Sequence, residues 1–200
     1  MGAPAHHQGP EEEAPLTSTR LTTRILAIDG RSGAGKSTLA RTLAVAAGAQ
    51  LVHVEDLYPG WHGLRTGAMT LANEVLAPLR AGQRVTPPRW DWHAGCWAAG
   101  REIVPGLIVV EGCGAISRAS RPLVDVAVWL DAPELLRRER ATTRDEDDAW
   151  WAGWAQQEEA FYRDENSPAL ADLRYATDTD LAMITAGIRD RGWPQPQIPA

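Results

Sequence analysis

Short apolar runs alternate with longer stretches in which apolar residues recur every three to four positions. The runs Arg24–Ile28, Leu51–Val54, Leu107–Glu111 and Val124–Leu130 predict strands, with Leu170–Tyr175 as a fifth. Between them Lys36–Ala47, Thr70–Arg80, Pro133–Arg144 and Asp147–Asp164 carry helical periodicity. Strands that alternate with helices predict an α/β fold, a parallel sheet covered by helices on both faces. Residues 82–106 fit neither period: with Pro87-Pro88, three tryptophans and several glycines they read as an excursion from the sheet, in the form of a hairpin. Residues 1–20 lack apolar periodicity and read as a disordered tail, 21–191 as one domain, and 192–200, with Pro194 and Pro196 close together, as an irregular C-terminal tail.

Composition narrows the function classes. A net charge of −6 repels a phosphate backbone and argues against a dedicated nucleic-acid binder. No apolar run approaches the roughly 20 residues that span a bilayer, so no membrane partner is expected. No basic segment followed by an apolar stretch opens the chain, which predicts a cytoplasmic protein without a secretory signal. Cys96 and Cys113 have neither framework number nor metal-ligand spacing and read as structural. Lys36 is the only lysine among 20 basic residues, so one position has kept an ammonium where every other cation is a guanidinium.

That lysine sits in Gly30-Arg31-Ser32-Gly33-Ala34-Gly35-Lys36-Ser37, with a strand before it and a helix after it. This is G-x-x-x-x-G-K-[ST], the phosphate-binding loop (P-loop), in the context that confirms the motif. The glycines let backbone N–H groups face the phosphates, and the helix N-terminus adds partial positive charge. Lys36 is placed to reach the β- and γ-phosphates, and Ser37 to ligate Mg²⁺. By composition the motif arises by chance in on the order of one such chain in a thousand.

A P-loop gives nucleotide binding and leaves the reaction open. The usual guanine-reading N-K-x-D needs a second lysine, which the chain lacks, and the L-S-G-G-Q-like signature of transport ATPases is absent. A small-molecule kinase needs a base, an acid near the metal, and arginines for the transferring phosphoryl group. The base candidates are Glu55 and Asp56 after the second strand; the acid is Glu111 at the end of the third. Arg137, Arg140 and Arg144 fall on one helix face with Arg138 turned aside. Each feature also has a plainer reading: the acidic pair as a cap, the arginines as a solvated face, and Trp90, Trp92 and Trp97 as hairpin packing. Trp150, Trp151, Trp154 and Phe161 suit a helix side that docks on the sheet or forms a homodimer surface.

Taken in order, Ile28 to Thr38, then Glu55-Asp56-Leu57-Tyr58, then Val110-Glu111-Gly112, then the arginine helix, the chain resembles the uridine kinase-like branch of P-loop small-molecule kinases from about Arg24 to Ala176. The resemblance implies a five-stranded parallel sheet of order 2-3-1-4-5, an acceptor site under the segment after the second strand, and an arginine-bearing lid over 133–148. It implies that Gly30, Arg31, Ser32, Gly33, Ala34, Gly35, Lys36, Ser37 and Thr38 hold the phosphates of ATP and that Ser37 and Glu111 serve Mg²⁺. It also implies that the first acid of the pair takes the acceptor's proton. The family generally has Asp there; this chain has Glu55, which leaves Asp56 as an alternative base. Tyr58, Trp61, Trp90 and Asp91 are the substrate-side candidates. Trp90-Asp91-Trp92 stands where uridine kinases have Tyr-Asp-Phe followed by a pyrimidine-reading His, whose position is Gly95 here. The ribose-contacting Asp-His-Pro segment has no counterpart in residues 60–69. The resulting expectation is an ATP- and Mg²⁺-dependent kinase acting on a hydroxyl of a small molecule, a nucleoside or related metabolite. The alternative is a non-catalytic or regulatory ATP-binding domain.

Overall fold

The computed structural model describes residues 22–145 and 149–194. The tail expected over residues 1–20, the last three residues of the 133–148 lid and residues 195–200 lie outside that range. Strands β1 (Arg24–Asp29), β2 (Gln50–His53), β5 (Leu107–Glu111), β6 (Val126–Asp131) and β7 (Leu173–Ala176) form one parallel sheet of order β2-β5-β1-β6-β7. Counted without the hairpin strands β3 (Arg89–Asp91) and β4 (Cys96–Ala98), that order is 2-3-1-4-5, as expected. The β3–β4 pair is the antiparallel hairpin expected in 82–106, closed at its base by a bridge between Val85 and Ile103.

Successive residues of a strand point to opposite faces, and here both faces are buried, which is why β1 reads as an unbroken apolar run. Ile25 and Ala27 join a core with Leu64, Leu71, Leu76, Phe161 and Tyr162. Leu26 and Ile28 join the opposite core with Leu39, Leu43, Ile184 and Ile188. Helix α1 (Lys36–Ala47) turns Leu39, Ala40, Leu43 and Ala44 inward and ends on Gly48, whose left-handed backbone (φ 62°) closes the last turn.

The helix expected at Thr70–Arg80 begins earlier. It runs as α2 (Leu64–Thr70), a π-helical stretch (Leu71–Leu76) and α3 (Ala77–Arg80). The wide turn ends just before Pro78, which offers no N–H and crowds the carbonyl four residues back. Two helices beyond it match their expected spans to within a few residues, α4 (Glu134–Asp145) and α5 (Trp151–Glu165). The fifth strand is shorter than expected because Ser167–Leu170 forms a helical turn, α6, ahead of it. Helix α7 (Leu181–Asp190) has no sequence-based counterpart. The expected C-terminal tail is anchored at its start: Trp193 is buried in the α1–α7 core, and Gly192 accepts a hydrogen bond from Arg24 at 2.8 Å.

Candidate active site

The P-loop leaves β1 at Asp29, a fully buried carboxylate that knits the C-terminal ends of two strands together. It accepts hydrogen bonds from Gly30 N (2.6 Å), Gly114 N (3.2 Å), Ile116 N (2.8 Å) and the Tyr162 hydroxyl (2.7 Å). The loop itself needs glycine. A Cβ on Gly33, whose φ is +81°, would lie 2.1 Å from the carbonyl oxygen of Arg137. Gly35 then opens α1 in the left-handed conformation, leaving the first N–H groups of the helix directed at the loop's hollow.

Lys36 is buried, and its Nζ donates to the Arg31 carbonyl (3.1 Å) beside Cys113 Sγ (3.5 Å). Burial opposes its charge, but the acids Glu158, Glu111 and Asp29 around it outweigh that and hold its pKa above that of an ordinary lysine. Burial also pushes the Cys113 thiol up to about 12, so the sulfur stays a neutral neighbour.

Glu111 ends β5 directly beside the loop. Its Oε2 accepts from Ser37 Oγ at 3.0 Å, and its Oε1 lies 2.5 Å from Nδ1 of His53, the last residue of β2. Burial raises the Glu111 pKa, but the His53 hydrogen bond and the Lys36 charge pull it further down, so the group is anionic. His53 shifts upward, first through that same hydrogen bond. Among the described residues no cluster of three or more metal-ligating side chains exists. The oxygen pair Ser37–Glu111 is a hard donor set of the kind that Mg²⁺ takes, with few protein ligands.

The two acids after β2 face different ways, because they occupy successive positions of a 3₁₀ turn, Val54–Leu57. Glu55 opens onto a cavity of about 640 Å³ that is also lined by Ser32, Gly33, Gly35, Lys36, Ser37 and Thr38. Asp56 lines a separate hollow of about 510 Å³ against the hairpin base, with His53, Arg89 and Arg101. Burial and the Glu111 charge raise the pKa of Glu55, while His53 and Arg144 hold it down in part. Asp56 is raised by burial as well, against His53, Arg89 and Arg101.

The three arginines of α4 also separate. Arg140 and Arg144 line the Glu55 cavity. Arg140 NH1 donates to Thr177 Oγ1 at 2.7 Å, and Arg144 grips the Asp145 carboxylate through Nε (2.6 Å) and NH2 (2.7 Å). Arg137 corrects the expectation of a solvated, phosphate-facing stripe. It is 5% exposed and donates to Ala132 O (3.1 Å) and Ser32 O (3.3 Å), lies 3.9 Å from the buried Glu158 carboxylate, and sits over the Trp151 ring. Its position follows from α4 pressing its backbone onto Gly33, which turns that side chain into the joint.

The remaining candidates are distributed around the site. Tyr58 and Trp61 line the cavity. Trp90 and Asp91 lie outside its lining: Trp90 packs edge-on against Trp97, and the Asp91 carboxylate accepts from His93 N and Ala94 N, both at 3.0 Å, to shape the hairpin turn. Arg31 pairs with Glu159, and Ala34 is buried in the α1–α7 core, so these two loop residues have their side chains outside the cavity lining.

Sequence reasoning missed several contributors. Trp92, Trp150 and Trp154 line the cavity, although hairpin or core packing was the expected role for each. Glu158 accepts from Ser32 N (2.7 Å) and Trp154 Nε1 (2.8 Å) and so braces the P-loop from outside. Its spacing of four from Trp154 on α5 was a signal that the two share a face. His53 gave none, because only the sheet brings it to Glu111.

No protein-family model matches the chain. In fold it is similar to a possible uridine kinase from Bacillus stearothermophilus (TM-score 0.56, 22% identity, 81% of this chain and 91% of that one). It is similarly close to a candidate fructose transport system kinase from Silicibacter sp. TM1040 (TM-score 0.59, 21% identity, 80% and 93%). The chain has the fold of P-loop small-molecule kinases. A bifunctional pantoate ligase/cytidylate kinase from Synechococcus sp. (strain JA-3-3Ab) is 31% identical over 145 residues, covering 69% of this chain. The match spans only a quarter, 25%, of that protein's length. Among the described residues no helix is long and apolar enough to cross a membrane.

Proposed function

We propose that this protein is a kinase that transfers the γ-phosphoryl group of ATP, in the presence of Mg²⁺, to a hydroxyl of a small molecule. The observation that carries this reading is the shared cavity: one carboxylate, Glu55, opens onto the same space as the phosphate cradle, with Arg140 and Arg144 across it. A passive nucleotide binder has no use for a second compartment with a base in it. The relatives named above are kinases of different acceptors, which supports phosphoryl transfer and leaves the acceptor open.

In this reading the backbone N–H groups of Gly33 to Thr38 and the Lys36 ammonium hold the β- and γ-phosphates. Ser37 and Glu111 hold Mg²⁺, which when bound neutralises phosphate charge. Glu55 accepts the acceptor's hydroxyl proton, its raised pKa bringing it nearer to neutral pH, where a base is most effective. Arg140 and Arg144 compensate the charge of the transferring group. Asp56, on the other side of the 3₁₀ turn, takes no proton.

The test is calorimetry with MgATP on the wild type and on Lys36→Ala, joined to thermal melting of both proteins. Micromolar to millimolar binding by the wild type, lost in a variant that still melts cooperatively, supports the reading. Equal affinity in both would overturn it.

A further inference from the structure

The cavity lining is of two chemical kinds. The P-loop brings hydrogen-bond donors. Beside them stand five aromatic side chains drawn from three segments: Tyr58 and Trp61, the hairpin's Trp92, and Trp150 with Trp154 at the start of α5.

Two polar tips of this group are already engaged. The Tyr58 hydroxyl donates to the Cys113 carbonyl at 2.6 Å, and Trp154 Nε1 to Ser32 Oγ (2.7 Å) and Glu158 (2.8 Å). Even the backbone carbonyl of Trp61 is taken, by Gln157 Nε2 at 2.7 Å. Tyr58 and Trp154 therefore offer the cavity ring surface.

The rings also touch one another. Trp61 lies 4.9 Å from Trp92 and 5.2 Å from Trp150 between centroids, nearly parallel to the latter at 17°, and Tyr58 lies 5.4 Å from Trp154. Contact at these distances makes a continuous wall and leaves no space for a cation to be surrounded on several sides, as an ammonium-binding cage requires. Trp61 is 48% exposed and lines the cavity. Arg144 and Asp145, which also line the cavity, bind each other. A flat apolar ring placed against this wall is held by stacking without needing a polar partner.

Resting on the kinase reading above, we infer that the acceptor is a neutral alcohol carried on a flat aromatic ring, held by stacking on the Trp61 wall and not by reading of its edge. The hydroxyl oxygen forms the new bond to the γ-phosphorus as the bond from that phosphorus to the β–γ bridging oxygen breaks. The hydroxyl proton passes to Glu55, and ADP leaves with the electron pair of the broken bond. The product is the phosphate monoester of that alcohol, an arylmethyl phosphate for an arylmethanol acceptor.

The test measures ADP release from MgATP with the full chain, using benzyl alcohol and 2-naphthalenemethanol as probes against glycerol, ribose, uridine and choline. The expected result is a kcat/KM for the two arylmethanols at least tenfold above the other four. Trp61→Ala should raise the KM for 2-naphthalenemethanol about tenfold or more, with a smaller change in kcat, and Trp61→Phe should restore most of it. A preference for uridine, a polyol or choline overturns the inference. So does an unchanged KM in Trp61→Ala, a parallel loss of MgATP affinity in that variant, which would give the wall to the nucleotide, or MgATP binding without stimulation by either arylmethanol. Failure of the wild type to bind MgATP would instead remove the kinase reading beneath it.

Discussion

Glu111 on β5 and His53 on β2 are register partners in the sheet, and their side chains meet with Oε1 and Nδ1 2.5 Å apart while Oε2 takes the Ser37 hydroxyl. Adjacent parallel strands present residues of equal register on the same face, so the pairing is a consequence of strand order. His53 thereby fixes the orientation of an acid that would otherwise rotate.

His53→Ala should leave Glu111 and Ser37 in place but loosen the carboxylate. The Mg²⁺ concentration for half-maximal activity is expected to rise about tenfold or more, with a smaller change in KM for ATP. A Mg²⁺ titration of both proteins checks this; an unchanged midpoint would reduce His53 to a packing residue.

Gly33 is the point where α4 rests on the phosphate cradle. Gly33→Ala combines positive φ with a Cβ driven to 2.1 Å from the Arg137 carbonyl, whereas Gly48→Ala has the positive φ alone with nothing within 4 Å. The first should cost clearly more than the ~1–2 kcal/mol of the second, read as the shift in denaturant midpoint. Equal costs would mean that α4 moves aside freely.

Removing Arg137 and removing Arg144 should have opposite signatures. Arg137→Ala strips the buried Glu158 carboxylate of its nearest guanidinium and frees two backbone carbonyls, so melting should fall by the equivalent of ~3 kcal/mol even without ligand. Arg144 is largely exposed, and its loss should leave the melting temperature nearly unchanged while lowering turnover. Paired melts and kinetics distinguish the two; similar melting losses would contradict the division of labour.

In the proposed kinase the acid limb of the pH–rate profile is expected to report Glu55. The base works ionised, so turnover falls as pH drops through its pKa, and a pKa raised by burial and by Glu111 places that fall above the usual carboxylate range. Arg144 holds the value down, so in Arg144→Ala the limb should move to higher pH. A limb that stays put, or moves lower, would assign the titration to another group.

The sequence alone determined what is local. The P-loop, its flanking strand and helix, and the acids at two strand ends depend on spacing and backbone chemistry carried within a few residues, and the apolar alternation was sufficient for the sheet. Helix α7 was not legible because Gly187 and small residues dilute the Ile184–Ile188 stripe that buries it. Which member of each group faces the cavity was decided only by the tertiary structure. Glu55 and Asp56 are neighbours in sequence, and the 3₁₀ turn sends them to different hollows. Arg137, Arg140 and Arg144 share a periodicity, yet the packing of α4 on Gly33 buries one and leaves two at the site. The aromatic wall joins side chains from positions 58 to 154, and periodicity within any one segment carries no information about rings brought together by three.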